Sequence, residues 1–157
     1  LSMNPNSWLR DTNNNIWLSY AGKALYQLDG NDFTELNKYS SGNILPTNLI
    51  YGLALDYDDN LWFSSHSGIH EFSIDTREIS SYQYMQGVAA SEFNDGAFTV
   101  LSDGRLAYGS TKGVTLFEPS EVSTLKNLVS FDIVSQVDER NCPNDITKNG
   151  HQKCTEN

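Results

Sequence analysis

The stretch "DTNNNIWLSY" (residues 11–20) returns as "DYDDNLWFSS" (residues 56–65), 45 residues further along the chain. Both copies begin with Asp, place polar turn-forming residues before an Asn, and continue as apolar–Trp–apolar into Ser. A third copy, "LSDGRLAYGSTKGVTLF" (residues 101–117), keeps the same spacing, although Ala107 stands at the Trp position. Self-similarity at a fixed period of about 20–50 residues is typical of repeat folds, so this repeat decides the architecture.

Each copy predicts a set of short antiparallel strands. The turn pairs tolerate the positive φ that two-residue hairpin turns need; they are Asn14-Asn15, Asp59-Asn60 and Asp103-Gly104. In the strand that follows the turn, Leu61 and Phe63 share one face and Trp62 takes the other, because side chains alternate along a strand.

A glycine turn then leads into a third strand, and a second hairpin leads into a fourth, outer strand. About four strands in about 45 residues is the size of a propeller blade. The residues that recur in register as structural repeat positions are Trp17, Trp62, Phe63, Tyr108, Gly68 and Gly113.

The predicted fold class is therefore all-β: a partial β-propeller of about three four-stranded antiparallel blades with a short β tail and negligible helix. A β-sandwich also has many short strands, but it does not require self-similarity at a fixed period. We assign residues 1–122 to the blades, with the first blade incomplete, and residues 123–157 to the tail.

The composition argues against two kinds of binding partner. The chain has 157 residues, with 10 basic and 20 acidic side chains and a net charge of −10. Such a balance repels phosphate backbones and anionic lipid head groups, so it argues against nucleic acid and membrane surfaces as partners. No apolar run reaches the length of about 18 residues that a membrane span needs.

The repeat resembles the two-component regulator propeller repeat, whose usual form is D-x-x-G-N-L-W-[IF]-G-T-x-x-G-L. Asn14 and Asp59 replace its turn glycine, and Ser19 and Ser64 replace its second glycine. A second stretch, "GVAASEFNDGAFTVLSDGRLAYGSTKGVTLFEPSEV" (residues 87–122), is similar to the closing part of such propellers. Its anchors include Glu92-Phe93-Asn94 and a final G-V-T-L-F-E-P.

The resemblance implies an extracytoplasmic sensor segment of a bacterial membrane receptor. In that family the output module is a histidine kinase, a hybrid response regulator or a diguanylate cyclase. An immunoglobulin-like module and a transmembrane helix often follow the propeller. The stretch "LVSFDIVSQV" (residues 128–137) would be the first strand of that module. We therefore expect a periplasmic location, with membrane attachment only through regions outside this chain.

The two cysteines, Cys142 and Cys154, enclose a polar segment with Pro143 and Gly150 that can fold as a hairpin. A disulfide between them would close a short loop and would fit an oxidising compartment. Two free thiols are the alternative. Together with His151 the cysteines make a cluster of three possible metal ligands that lacks a fourth, so we prefer the disulfide to a metal site.

No catalytic, cofactor-binding or metal-binding residue is predicted. The chain has no G-x-S-x-G elbow and no glycine-rich phosphate loop. Asp56 and Asp58 resemble the start of a calcium loop, but Leu61 and Ser67 stand where that loop needs Gly and Glu. His66 and His70 stand four apart, a spacing that suits a metal on a helix but not on a turn and strand.

The candidate ligand contacts are the loops that connect blades, residues 40–48 and 84–95. We interpret Trp17 and Trp62 as blade-packing residues rather than sugar platforms, because ligand residues should differ between blades. Binding usually sits on loops of a rigid scaffold. The expected ligand is an unidentified small molecule or oligosaccharide.

The leading hypothesis is a non-catalytic sensor propeller, and the alternative is a fragment of a propeller enzyme, such as a polysaccharide or small-molecule lyase. Closed propellers usually need four to eight blades, so about three blades would leave apolar blade faces open. We expect the faces carrying Trp17 or Tyr108 to be exposed and the chain to form a homodimer or higher oligomer through them.

Overall fold

The computed structural model describes residues 5–20, 22–83, 88 and 92–124. Cys142, His151 and Cys154, most of the tail and most of the loop at 84–91 lie outside these residues. The described chain forms three antiparallel sheets and one short helix. Their bounds are β1 Ser7–Arg10, β2 Asn15–Tyr20, β3 Ala24–Asp29, β4 Glu35–Tyr39, β5 Gly52–Leu55, β6 Leu61–Ser65, β7 Gly68–Phe72, β8 Ile79–Tyr82, β9 Phe93–Val100, β10 Leu106–Ser110, β11 Gly113–Phe117 and α1 Pro119–Thr124.

Each sheet is a simple meander in chain order. We call β1–β4 the first blade, β5–β8 the second blade and β9–β11 the third blade. The sheets do not close into a ring. The all-β, partial-propeller prediction is confirmed.

Two details of the blades differ from the prediction. The first blade is complete, with four strands that begin at Ser7. The third blade has three strands within the described residues, and α1 follows β11 directly. Pro119 at the first helical position and Glu121 in the first turn favour a helix start, and this local preference accounts for the helix.

The hairpins between the first two strands of each blade are longer than two residues. A single residue with positive φ closes each turn: Asn14 (69°), Asp59 (59°) and Gly104 (90°), again 45 residues apart. In the first blade the amide of Asp11 donates to the carbonyl of Asn15 at 2.9 Å. The prediction of two-residue turns was therefore wrong in length, although the residues that adopt positive φ come from the predicted turns.

The core lies between blades rather than within one blade. The second blade buries Leu61 and Phe63 against Trp17, Leu25 and Tyr39 of the first blade. Its opposite face buries Trp62 against a second cluster that includes Leu106 and Tyr108 of the third blade. Strand alternation thus lets one sheet serve two cores.

The prediction of exposed faces at Trp17 or Tyr108 was wrong, because both side chains are fully buried. Trp17 points toward the second blade from one side, and Tyr108 does so from the other. The free face of the first blade instead carries the row Trp8, Leu18 and Tyr26, which pair across β1, β2 and β3. Trp8 is 65% exposed.

Gly68 begins β7 at a point where the chain accepts no side chain. Its φ is 131°, and a Cβ there would collide with the carbonyl oxygen of Tyr82. Gly113, at the same place in the third blade, has a φ of 135° but open space around it. A comparison of substitutions at the two glycines therefore distinguishes the cost of backbone strain from the cost of a steric collision.

We expect Gly68→Ala to lower the unfolding free energy by at least about 3 kcal/mol and Gly113→Ala by about 1–2 kcal/mol, because only the first adds a collision to the strain. Urea denaturation followed by circular dichroism measures both. Gly42→Ala is the control, since its Cβ would meet only Ser40 Oγ at 3.7 Å. Equal losses for Gly68→Ala and Gly113→Ala would show that the collision is relieved by a backbone shift.

Candidate functional site

The two tryptophans of the repeat are each held by a carboxylate from the preceding turn. Trp17 Nε1 donates to Asp11 Oδ2 at 2.8 Å, and Asn15 donates to the same carboxylate through its backbone at 2.7 Å and its side chain at 2.9 Å. Asp56, Asn60 and Trp62 repeat this arrangement, with an indole contact of 2.8 Å. We call each such set an indole clamp.

The indole clamp satisfies a polar group that would otherwise be costly to bury. Both tryptophans have no exposed surface, and a buried N–H without an acceptor costs about 1–3 kcal/mol. The clamp also orients the ring against the fourth strand of its own blade. Trp17 stacks on Tyr39 with centroids 5.8 Å apart, and Trp62 stacks on Tyr82 at 5.7 Å.

The third blade has lost all three clamp residues together. Leu101, Arg105 and Ala107 stand where the second blade has Asp56, Asn60 and Trp62. Tyr108, in the register of Phe63, packs between Phe98 and Phe117 instead, with centroids 6.2 and 6.3 Å away. Its buried hydroxyl has no partner within the described residues. The clamp therefore behaves as a structural unit, in which the asparagine and the indole both hydrogen-bond to the carboxylate.

His70 lies in the middle of a chain of hydroxyl groups. Its Nε2 is 2.8 Å from Ser65 Oγ and its Nδ1 is 2.8 Å from Ser81 Oγ. Burial lowers the pKa of His70 to about 4, with a smaller contribution from His66. His66 is exposed on the turn between β6 and β7. The ring of His70 is thus neutral and structurally occupied on both nitrogens.

A polar cluster crosses the interface between the first two blades. Arg77, which has a positive φ of 62°, donates to the hydroxyl of Tyr39 and to Gln27 Oε1 at 3.4 Å. Asn37 also donates to Gln27 Oε1, at 2.8 Å. In the second blade Glu71 stands near the register of Gln27 and accepts from the Tyr82 hydroxyl at 2.8 Å. Sequence reasoning missed these residues, although Gln27 and Glu71 recur at a spacing of 44.

An acidic cleft of about 410 Å³ opens at the end of the blades that carries the β1–β2 and β5–β6 turns. Thr12 donates to the carboxylate of Asp59, which belongs to the neighbouring blade. The pKa of Asp59 is raised, mainly by burial and also by the nearby carboxylates of Asp11, Asp56 and Asp75. Negative charge at this end disfavours anionic ligands. The lining residues are Thr12, Asn13, Tyr57, Asp58, Asp59, Asn60, Ile74 and Asp75.

The candidate ligand loop at residues 40–48 lies at the opposite end of the blades. Its backbone is fixed by side chains: Asn43 Oδ1 accepts from the amide of Ser40 at 2.7 Å, and Asn48 Oδ1 accepts from that of Ser41 at 2.7 Å. Leu45 and Thr47 are buried beneath it, whereas residues 41–43 are exposed. The loop therefore presents a short polar tip on a rigid base. Most of the second candidate loop, 84–95, lies outside the described residues.

Part of the chain matches a known family of propeller repeats, and a longer part is similar to a curated protein. Residues 44–67 match the family model of the two-component regulator propeller. A curated relative, histidine kinase P4 of Formosa agariphila, is 26% identical over 100 residues, which are 64% of this chain and 7% of the relative. The chain thus spans a small fraction of that protein.

Solved structures share the fold. The extracellular domain of a hybrid two-component system from B. thetaiotaomicron has a TM-score of 0.65 at 21% identity, over 73% of this chain and 17% of the other. A second such domain from the same organism has a TM-score of 0.52 at 15% identity, over 75% and 22%. PorZ, a surface component of the type-IX secretion system of Porphyromonas gingivalis, has a TM-score of 0.51 at 17% identity, over 70% and 16%.

These matches and the blade geometry show that the described residues form part of a β-propeller. Residues 44–67 carry a two-component regulator propeller repeat, and the chain is similar to a histidine kinase and to the extracellular domain of a hybrid two-component system. Within the described residues, no helix has the length and apolar character needed to cross a bilayer.

We expect Asp56→Ala to lower the unfolding free energy by about 2–4 kcal/mol, because it leaves the Trp62 indole N–H and the Asn60 amide without their acceptor. Denaturation by urea measures this loss. Asp58→Ala is the matched control in the same turn; its exposed side chain should change stability by no more than about 0.5 kcal/mol. If Asp56→Ala costs no more than Asp58→Ala, the clamp does not stabilise the blade.

The lowered pKa of His70 predicts that stability depends on pH. The unfolded chain binds a proton near pH 6.5 and the folded chain only near pH 4, so the stabilisation is complete above 6.5 and is lost as the pH falls toward 4. The loss should approach about 3 kcal/mol. His70→Gln, which keeps hydrogen-bonding groups for both serines, should lack this component. Parallel stability profiles for the two proteins between pH 4 and 6.5 would contradict the assignment.

Proposed function

We propose that this chain is a non-catalytic, extracytoplasmic sensor segment of a bacterial signal-transduction receptor, located in the periplasm. The observation that carries the proposal is the two-component regulator repeat at residues 44–67, which occupies the loop and first strands of the second blade. Similarity of fold alone would not support a sensory role, because a component of a secretion system shares the fold.

The proposed ligand is a small molecule or oligosaccharide that binds at the end of the blades formed by residues 40–48. Fixed backbone geometry supports this choice, because a loop that is already ordered loses little entropy on binding. Its exposed tip offers backbone and side-chain hydrogen-bonding groups without charge, which suits hydroxyl-rich ligands. Ligand binding would bias a signalling homodimer of the complete receptor.

The chemistry of the described residues favours binding over catalysis. His70 is enclosed by two serines and does not line the acidic cleft. The cleft has carboxylates and the exposed Tyr57 but neither His nor Arg among its lining residues. A lyase would need a base and a charge-stabilising group that converge on one substrate position.

The test combines location and binding. In spheroplasts of the producing bacterium, added protease should digest this segment while a cytoplasmic marker survives. Among a panel of defined oligosaccharides, a ligand should raise the melting temperature of the purified chain and be recovered chemically unchanged. At a concentration 100 times its Kd the stabilisation should be about 2.7 kcal/mol.

Matched variants locate the site. Gly42→Arg, at the tip of the 40–48 loop, should raise the Kd of the ligand at least about tenfold. The loss of one contact worth about 1.4 kcal/mol is enough for this change. Asn13→Arg, exposed at the opposite end, should leave it unchanged. Protection from protease in spheroplasts, or conversion of the ligand into a product, would refute the sensor assignment.

A further inference from the structure

The acidic cleft has an open aromatic ring among its lining residues. Tyr57, in the turn between β5 and β6, lines the cleft and is 80% exposed. Its ring nevertheless lies against the backbone of the third blade, because a Cβ on Gly104 would collide with the ring. A ring that is held in place and left open contributes little to a core, and aromatic rings with this character are enriched at binding surfaces.

The residues that line the cleft do not balance its negative charge. Asp58, Asp59 and Asp75 line it together with Tyr57, and none of the lining residues is Lys, Arg or His. Arg77, two residues after Asp75, is directed at the first blade instead. The raised pKa of Asp59 has burial as its main cause, and repulsion by neighbouring carboxylates adds to it. A positively charged ligand would relieve this repulsion.

The carboxylates of the cleft are not grouped as metal ligands. Within the described ranges, no three His, Cys, Asp or Glu side chains are placed so that they could hold one metal ion. The cleft has a volume of about 410 Å³, which is in the range of pockets that take small organic ligands. An extended organic cation therefore fits the separated carboxylates better than a single metal ion does.

The repeat provides an internal comparison for the residues of the cleft. The clamp carboxylates recur in the first two blades, as scaffold residues should. The position of Tyr57 differs in every blade, with Thr12 in the first and Ser102 in the third. Gly104 stands in the third blade at the position of Asp59. The ring and the lining carboxylate are therefore not required by the blade itself.

The turn of the third blade shows the same position with its charge balanced. Asp103, at the position of Asp58, forms an ion pair with Arg105 at 2.8 Å. Arg105 replaces the asparagine that ends the turn in the other two blades. The unbalanced charge is thus a property of the junction between the first two blades, and it lies beside the one turn that carries an aromatic ring.

We propose that the acidic cleft binds a small organic cation, whose alkylammonium group lies over the ring of Tyr57 and pairs with the lining carboxylates Asp58, Asp59 and Asp75. The face of an aromatic ring attracts a cation, and carboxylates beside it add charge-assisted hydrogen bonds. The site lies at the end of the blades opposite to the 40–48 loop. It does not depend on the proposed sensory role.

The test is an NMR titration of the isotope-labelled 157-residue chain with putrescine, a linear diamine, at constant ionic strength. The signals to follow are the ring of Tyr57, identified by its absence from Tyr57→Phe, and the backbone amides of residues 58–60. They should shift and saturate with a Kd on the order of 1 mM, as expected for a few contacts at an open site. Butanediol, which has the same carbon chain without charge, should leave them unchanged.

Matched variants separate the contribution of the ring from that of the charges. Tyr57→Ser, which introduces the residue of the third blade, should raise the Kd at least about fivefold, whereas Tyr57→Phe keeps the ring and should stay within about twofold. Asp75→Asn should raise the Kd at least about threefold, because it removes one charged partner. Asp32→Asn is the control, since this carboxylate is also exposed in a turn but does not line the cleft.

Four outcomes would overturn the proposal. The first is the absence of a saturable shift with putrescine, and the second is an equal Kd for the two variants of Tyr57. The third is an effect of Asp32→Asn as large as that of Asp75→Asn, which would show a general response to net charge. The fourth is a set of shifts with calcium chloride that saturates at lower concentration than with putrescine, which would make the cleft a metal site.

Discussion

A hydrogen bond between a turn carboxylate and a buried indole underlies the architecture of the first two blades. Asp11 and Asp56 each accept from an indole two strand positions past the turn and from the Asn that ends the turn. One side chain therefore closes the hairpin and allows the largest residue of the blade to be buried. Without this acceptor, burial of the indole would leave a polar group unsatisfied.

The oriented indole in turn determines how neighbouring blades pack. Trp17 meets Phe72 of the second blade edge to face at 5.9 Å, and Trp62 meets Phe117 of the third blade at 5.0 Å. The third blade, which lacks the clamp, does not present an indole beyond itself. Each clamped indole therefore contacts both the fourth strand of its own blade and the next blade along the chain.

The repeated elements of the chain determine its fold, whereas its candidate binding regions would determine its function. The clamps, the glycine turns and the alternating strands produce a fold that two-component sensors and a secretion component share. Fold alone does not specify function, because function depends on sites carried by the fold. In this chain the blade-connecting loop at 40–48 and the acidic cleft lie at opposite ends of the blades. The polar residues between blades, such as His70 and Arg77, are structural.

The sequence by itself determined the all-β class, the 45-residue period and the strand alternation of Leu61, Trp62 and Phe63, whereas the two-component regulator relation came from its resemblance to a known repeat. These properties follow from local pattern and turn chemistry, which are written in neighbouring residues. It also suggested that Trp17 and Trp62 pack between blades, where the structure places them. Only the tertiary structure decided the contact of Arg77 with Tyr39 across the first two blades, the enclosure of His70 by two serines within the second blade, and the close approach of Phe98 of the third blade to Gly52. These contacts depend on how one sheet is placed against the next, and that placement depends on side-chain size and shape at positions about 45 residues apart rather than on any local pattern.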